Sequence, residues 1–267
     1  MQHLFSQWAH ISQKIKNNHI GIFLDYDGTL TKIAKRPTQA YLSKEVKRML
    51  QKLAAKPQCQ LVIVSGRSLL NIKKLVGING IIYAGNHGLE FGDLRTTFTI
   101  PLSARYKTKL RQVKKALTVK LAAVKGVIIE DKKFSLSLHY RLVSRKDVSV
   151  VKSAFYNVIA EAQAHDDVAI LAGKQVLEIT PAIIWNKGKI VLLILMLLRT
   201  LFKRSKIIPC YIGDDVTDEN AFVALKSQGI TVFVGAPKKT QANYYLNDVQ
   251  EVKQLLEKIN LLFAEDK

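Results

Sequence analysis

Short runs of apolar residues alternate with stretches whose apolar positions recur every three or four residues. The runs at 20–24, 60–64 and 81–84 are apolar at consecutive positions save Gln60, and helical spacing fills 44–55 and 69–76 between them. Strands buried on both faces and joined by helices predict a βαβαβ arrangement with a parallel sheet. The pattern resumes with a helix from residue 189, a strand at 207–212, a helix from 219, a strand at 230–234 and a helix at 249–263. Both halves fit one doubly wound, Rossmann-like α/β sheet.

The residues between them follow another order: a helix, strands at 127–130 and 134–141, a second helix, and strands at 168–172 and 175–179. This predicts a smaller inserted α+β domain over 103–182, bracketed by Pro101 and Pro181, with 1–102 and 183–267 forming the core. Near the start, Leu4, Trp8, Ile11 and Ile15 fall at helical spacing, which predicts a docked amphipathic helix and not a signal peptide. The apolar run at 190–198 stops at Arg199, far short of the roughly 20 residues a membrane span needs. It reads as a buried core helix, and no membrane partner is expected.

Composition is that of a globular protein, with 48% hydrophobic and 23% charged residues. Lysine and arginine total 41 against 21 acids, a formal charge of +20. Basic residues never exceed two in a row and fall on presumptive helix faces, so solvated surface and attraction of an anionic substrate are favoured over specific nucleic-acid binding. Cys59 and Cys210 lack metal or redox spacing and read as reduced, buried residues of a cytoplasmic protein. No pattern specifies an oligomeric state.

Against this basic background the acids cluster. The first strand runs into Asp25-Tyr26-Asp27-Gly28-Thr29-Leu30, two carboxylates at the carboxyl end of a parallel strand, where open α/β sheets bind ligands. A carboxylate can attack phosphorus, and a second can protonate the leaving oxygen and then activate water. Asp25 suits the first role and Asp27 the second. The second strand ends in Ser65-Gly66-Arg67, whose hydroxyl and backbone N–H groups can hold phosphoryl oxygens. Lys187, in Asn186-Lys187-Gly188-Lys189 at a helix start, can neutralise the transferring group. Residues 214–219 hold four acids, Asp214, Asp215, Asp218 and Glu219. A hard cation is their natural partner, so Mg2+ is expected, held by Asp25, the Asp27 carbonyl and Asp214, with Asp218 ligating through water or orienting the others. Each piece alone has a bland alternative as a turn, a loop or a helix cap. Their joint placement at strand ends argues for a site.

These four segments resemble the motifs of the haloacid dehalogenase superfamily, which implies its core fold and an aspartyl-phosphate intermediate on Asp25, with Ser65 and Lys187 holding the phosphoryl group. The wording is narrower still. LDYDGTLT, SGR, GNHGLE at 85–90, SLSLHYR at 135–141, GKxxxE at 173–178, NKG and GDDVTDE together resemble the trehalose-6-phosphate phosphatases. Thr180 departs from that pattern, standing where an arginine before the proline is common.

In the insert, alternation over 134–141 puts Phe134, Leu136, Leu138 and Tyr140 on one face and Ser135, Ser137, His139 and Arg141 on a polar display face. Lys174 and Glu178, four apart in a strand, point to one side. The resemblance implies a cap in which Arg141, Lys174 and Glu178 grip the glucose unit that carries no phosphate, with Asn86 and His87 also near substrate. The bland alternative is a wet face with a surface ion pair. Rival functions are hydrolysis of another sugar phosphate, such as sucrose phosphate or a glucosyl- or mannosyl-phosphoglycerate, and a catalytically silent regulatory domain that binds a sugar phosphate. The acids at 25, 27, 214 and 218 argue against silence.

Overall fold

The computed structural model describes residues 1–16, 18–162, 167–202, 206–237 and 239–264. The chain divides into two compact units, residues 1–99 with 185–267 and residues 100–184.

In chain order the first unit begins with β1 (Gln2–His3), α1 (Trp8–Lys16), β2 (His19–Leu24), α2 (Lys44–Ala54), β3 (Cys59–Val64), α3 (Leu69–Val76), β4 (Ile82–Gly85), β5 (Glu90–Gly92) and β6 (Phe98–Thr99). The second unit holds α4 (Ala104–Lys120), β7 (Ile128–Asp131), β8 (Leu136–His139), α5 (Val148–Glu161), β9 (Val168–Gly173) and β10 (Val176–Pro181). The chain returns to the first unit with α6 (Lys187–Leu201), β11 (Ile207–Gly213), α7 (Glu219–Leu225), β12 (Ile230–Val234), β13 (Tyr244–Leu246) and α8 (Val249–Leu262).

The apolar runs pair as one sheet in the order β1-β13-β12-β11-β2-β3-β4-β5-β6, parallel through β4 and antiparallel at β5 and β6. Consecutive residues feed opposite faces. Ile22 and Leu24 join Leu61 and Ile63 beneath α1, α2, α3 and α8, while Phe23 joins Val62 and Val64 beneath α6 and α7. Burial on both sides explains why these strands read as unbroken apolar runs; each such side chain is worth about 1.5–3 kcal/mol on transfer from water. The short strands β1, β5, β6 and β13 had no counterpart in the sequence reading, since two or three residues carry no periodicity.

Helix starts follow the capping rules. Ser43 and Ser68 accept from the backbone of Val46 and Asn71, and Asn186 accepts from Lys189 N. The last cap starts α6 at Lys187, not at residue 189. This helix is buried along one face only: Ile190, Ile194 and Leu198 are in the core, while Met196 is 56% exposed. Among the described residues no helix is long and apolar enough to cross a membrane.

The second unit is a four-stranded antiparallel sheet, β7-β8-β10-β9, with α4 and α5 packed on Leu136, Leu138, Leu177 and Ile179. Two details differ from expectation. The strand predicted at 134–141 narrows to Leu136–His139, and its polar face is wet at one end only: Ser135 and Ser137 are fully buried, while His139 and Arg141 are half-buried. Lys174 is also not in a strand with Glu178. Gly173 pairs directly with Val176, so Lys174 and Gln175 form a two-residue hairpin loop, with Gln175 at φ 65°.

Candidate active site

Asp25 leaves β2 with its backbone N–H still on Ile212 O of β11, at 2.9 Å. This extends the ladder by one residue and sets the carboxylate at the strand's end. The chain then folds back tightly: Leu30 and Thr31 both donate to Tyr26 O, and Gly28 N donates to Thr31 O. Gly28 sits at φ 97°, where a Cβ would collide with the Asp214 carboxylate. Glycine there lets the loop after β2 and the loop after β11 close on one another.

Lys187 is the centre of the resulting cluster. Its Nζ donates to Asp25 Oδ1 and Asp218 Oδ1, both at 2.7 Å, and the lysine is only 3% exposed. Asp218 is saturated: Oδ1 also accepts from Tyr211 OH at 2.6 Å, and Oδ2 accepts the backbone N–H groups of Asp214 and Asp215. It therefore orders its own loop and aims the lysine. Tyr211, which the sequence reading passed over as an apolar strand residue, has its hydroxyl pKa pushed well up by burial and by Asp218. Burial alone lowers the lysine's pKa, but Asp218 and Asp25 outweigh it and hold the ammonium charged beyond its ordinary range. Burial raises the Asp25 pKa; Lys187 opposes this, and Asp218 and Asp214 add to it.

One ammonium does not neutralise the carboxylates gathered here. Asp25, Asp214 and Asp218, all buried, each offer an oxygen within 4.8 Å of the others. Hard oxygen donors in excess of local positive charge suit a hard divalent cation. The carboxylate of Asp27 is not in this set. It is held by Arg67, with Nε donating to Oδ2 at 2.6 Å and Nη2 to Oδ1 at 2.7 Å.

The loop after β3 lies against the loop after β4. His87 N donates to Ser65 O, Asn86 N to Arg67 O, and Ser65 Oγ accepts from Arg67 N. Asn86 and His87 both take positive φ, 49° and 55°, a conformation Asn and His tolerate better than most residues. Gly66 packs on the His87 ring, where a Cβ would come within 2.7 Å. Asn86 is anchored by Glu90, whose Oε2 accepts its Nδ2 at 2.7 Å. The structure thus gathers Asp25, Ser65, Lys187, Asp214 and Asp218 at the carboxyl ends of neighbouring parallel strands, with Asp27, Gly66, Arg67, Asn86 and His87 in the adjoining loops.

A family model described as trehalose-phosphatase matches residues 23–250. The chain belongs to the trehalose-phosphatase family. Trehalose 6-phosphate phosphatase RA3 of Zea mays is 32% identical over 270 residues, covering 95% of this chain and 73% of that one. The C-terminal domain of Candida albicans trehalose-6-phosphate phosphatase shares the fold with TM-score 0.78 and 26% identity, over 96% of each chain. The C-terminal domain of the Candida albicans trehalose synthase regulatory protein superposes with TM-score 0.68 at 13% identity, over 93% of this chain and 97% of that one, a likeness of fold alone. The core is accordingly the haloacid dehalogenase-type α/β fold of the trehalose-phosphatase family.

In this family member the second unit carries its own polar cluster. Glu178 Oε1 accepts from Lys132 Nζ at 3.1 Å and from Ser135 Oγ at 2.7 Å, with all three residues buried. Lys132 lies between β7 and β8, and the sequence reading missed it. Arg141 donates to the Lys174 carbonyl at 2.6 Å, so the bracing contact uses the lysine's backbone. Thr180, at the position of the absent arginine, turns its hydroxyl to Ala169 O within the same sheet.

Proposed function

We propose that this trehalose-phosphatase family member hydrolyses trehalose 6-phosphate to trehalose and phosphate, by phosphoryl transfer to Asp25, with Mg2+ as cofactor. The observation that carries the reading is the buried bridge of Lys187 between Asp25 and Asp218. It holds one oxygen of Asp25 by a charged donor at the mouth of the sheet, where a phosphate group can approach the other.

In the first half-reaction an Asp25 oxygen bonds to phosphorus and the bond from phosphorus to the sugar oxygen breaks. Its electron pair stays on that oxygen, which takes a proton from Asp27. In the second, water attacks the phosphorus of the aspartyl-phosphate, gives a proton to Asp27, and the Asp25 carboxylate is released. Ser65 and Lys187 hold the phosphoryl oxygens through both steps. Asp25, Asp214 and the Asp27 carbonyl are the proposed Mg2+ ligands, with Asp218 orienting them. When bound, the ion supplies positive charge that offsets the carboxylates and draws the substrate phosphate. Residues 103–182, within the second unit, serve as the specificity cap, with Arg141, Lys174 and Glu178 on the distal glucose. The free, buried Cys59 and Cys210 accord with a cytoplasmic protein.

Fold alone does not separate an enzyme from a regulatory relative; the intact acids favour the enzyme. The test is phosphate release from trehalose 6-phosphate, sucrose 6-phosphate and glucose 6-phosphate, with Mg2+ and with a chelator. Selective, metal-dependent release is expected, with Asp25→Asn lowering kcat by at least about 1,000-fold. Equal release from all three sugars defeats the substrate assignment, and full activity of Asp25→Asn defeats the mechanism.

A further inference from the structure

Asp27 and Arg67 form an uneven pair. The Asp27 side chain is 36% exposed, yet the arginine that grips it is 8% exposed. A solvated carboxylate on a loop has no need of a partner, and burying a guanidinium costs free energy unless it is well paired. Here it is paired on every side that its role requires. The Nε and Nη2 fork holds both carboxylate oxygens, Nη1 donates to Asn71 Oδ1 at 3.0 Å, and the group lies 5.4 Å from the centre of the Tyr26 ring. Its main chain is fixed as well, with N on Ser65 Oγ and O accepting from Asn86 N. A rigid, buried fork presenting an exposed carboxylate defines one rotamer for that carboxylate.

We infer that Arg67 is the positioning residue for Asp27: it acts on the reaction by fixing the carboxyl group that, when protonated, hands its proton to the sugar oxygen and, as the resulting carboxylate, takes one from water. This rests on the mechanism proposed above. Both proton transfers need the same carboxylate in the same place, and a misplacement of an ångström at such a group costs rate steeply. Lysine cannot substitute, because a single ammonium lacks the fork.

The test compares Arg67→Ala, Arg67→Lys, Asp27→Asn and the double variant Arg67→Ala/Asp27→Asn, on trehalose 6-phosphate and on p-nitrophenyl phosphate. Arg67→Ala is expected to lower kcat on the sugar phosphate by about 100-fold with KM changed less than about 3-fold, within the range general acid–base catalysis supplies. Arg67→Lys recovers only part of that loss. The double variant should be no slower than Asp27→Asn alone, since nothing remains for Arg67 to position. With p-nitrophenyl phosphate the leaving group departs without a proton. Arg67→Ala should then release a burst of nitrophenolate, about one per enzyme, before a slow steady rate, because only water attack suffers. Additive losses in the double variant, a raised KM with kcat kept, or a lowered melting temperature with unchanged kinetics in both Arg67 variants would each overturn the inference while leaving the phosphatase reading intact. A wild-type chain inert on both substrates would remove that reading, and the inference with it.

Discussion

Each unit of this chain buries a lysine against carboxylate, and the charge balance differs. In the first unit Lys187 meets Asp25 and Asp218 directly, with Asp214 beside them, so carboxylates exceed ammonium three to one. In the second unit Lys132 meets Glu178 at 3.1 Å, and the neutral Ser135 hydroxyl donates to the same carboxylate oxygen. The excess of negative charge suits a cation, which on the function proposed would in turn draw the phosphate. The second cluster sets a single carboxylate against its lysine and a hydroxyl, and on the function proposed its donors and acceptors serve an uncharged polyhydroxyl group. On the function proposed, one buried motif thus serves phosphoryl chemistry in one setting and sugar recognition in the other.

Removing the lysine from the first cluster is the harshest test of that contrast. Lys187→Met keeps bulk but leaves Asp25 and Asp218 without their shared cation, and breaking a buried pair in this way costs about 3–5 kcal/mol. The folded state holds the lysine charged above its ordinary range. The stabilisation is therefore complete at pH below the ordinary lysine value and fades only as pH rises through the raised one. Denaturant melts at neutral pH should show the full loss, and Mg2+ should restore part of it by binding the surplus carboxylates of the native state. A melt indifferent to both would mean that the acids do not repel one another as the geometry implies.

The second cluster answers differently. Glu178→Gln removes a carboxylate charge from Lys132, which is 7% exposed, and costs about 1–3 kcal/mol. Mg2+ should restore none of it. In turnover, kcat/KM for trehalose 6-phosphate is expected to fall about 10–100-fold, with p-nitrophenyl phosphate hydrolysis nearly unchanged, because a small substrate has no distal sugar to lose. Equal losses on both substrates would place Glu178 in the chemistry instead.

These two clusters also differ in how far they could be read from sequence. Asp25, Ser65, Lys187 and Asp214 follow strand ends or open a helix within a few residues of an apolar run, so local pattern and chemistry pointed to them together. The polar face of the second unit is assembled across strands. Lys132 reaches Glu178 over 46 residues of sequence from a position in no strand, and no local period announces it. Lys174 went astray because it counts as four residues from Glu178 along one strand, and only the Gly173–Val176 pairing shows that it lies in a two-residue turn. The Arg67 fork was hidden too, because its partner lies 40 residues away, and a motif shows that a residue is present without showing which side chain it holds.

The smallest effect is the most direct control on burial as the deciding variable. Lys120 and Glu161 form a contact of 2.6 Å, as short as any in the two clusters, between the ends of α4 and α5. Their side chains are 41% and 61% exposed, so water and salt screen the attraction and holding two long side chains still costs entropy. Lys120→Ala should shift stability by less than about 0.5 kcal/mol and leave turnover of every substrate unchanged. A loss beyond about 1 kcal/mol would show that short distance, and not exclusion from water, sets the worth of lysine–carboxylate pairs in this chain. The contrast between its two buried clusters would then have to rest on geometry alone.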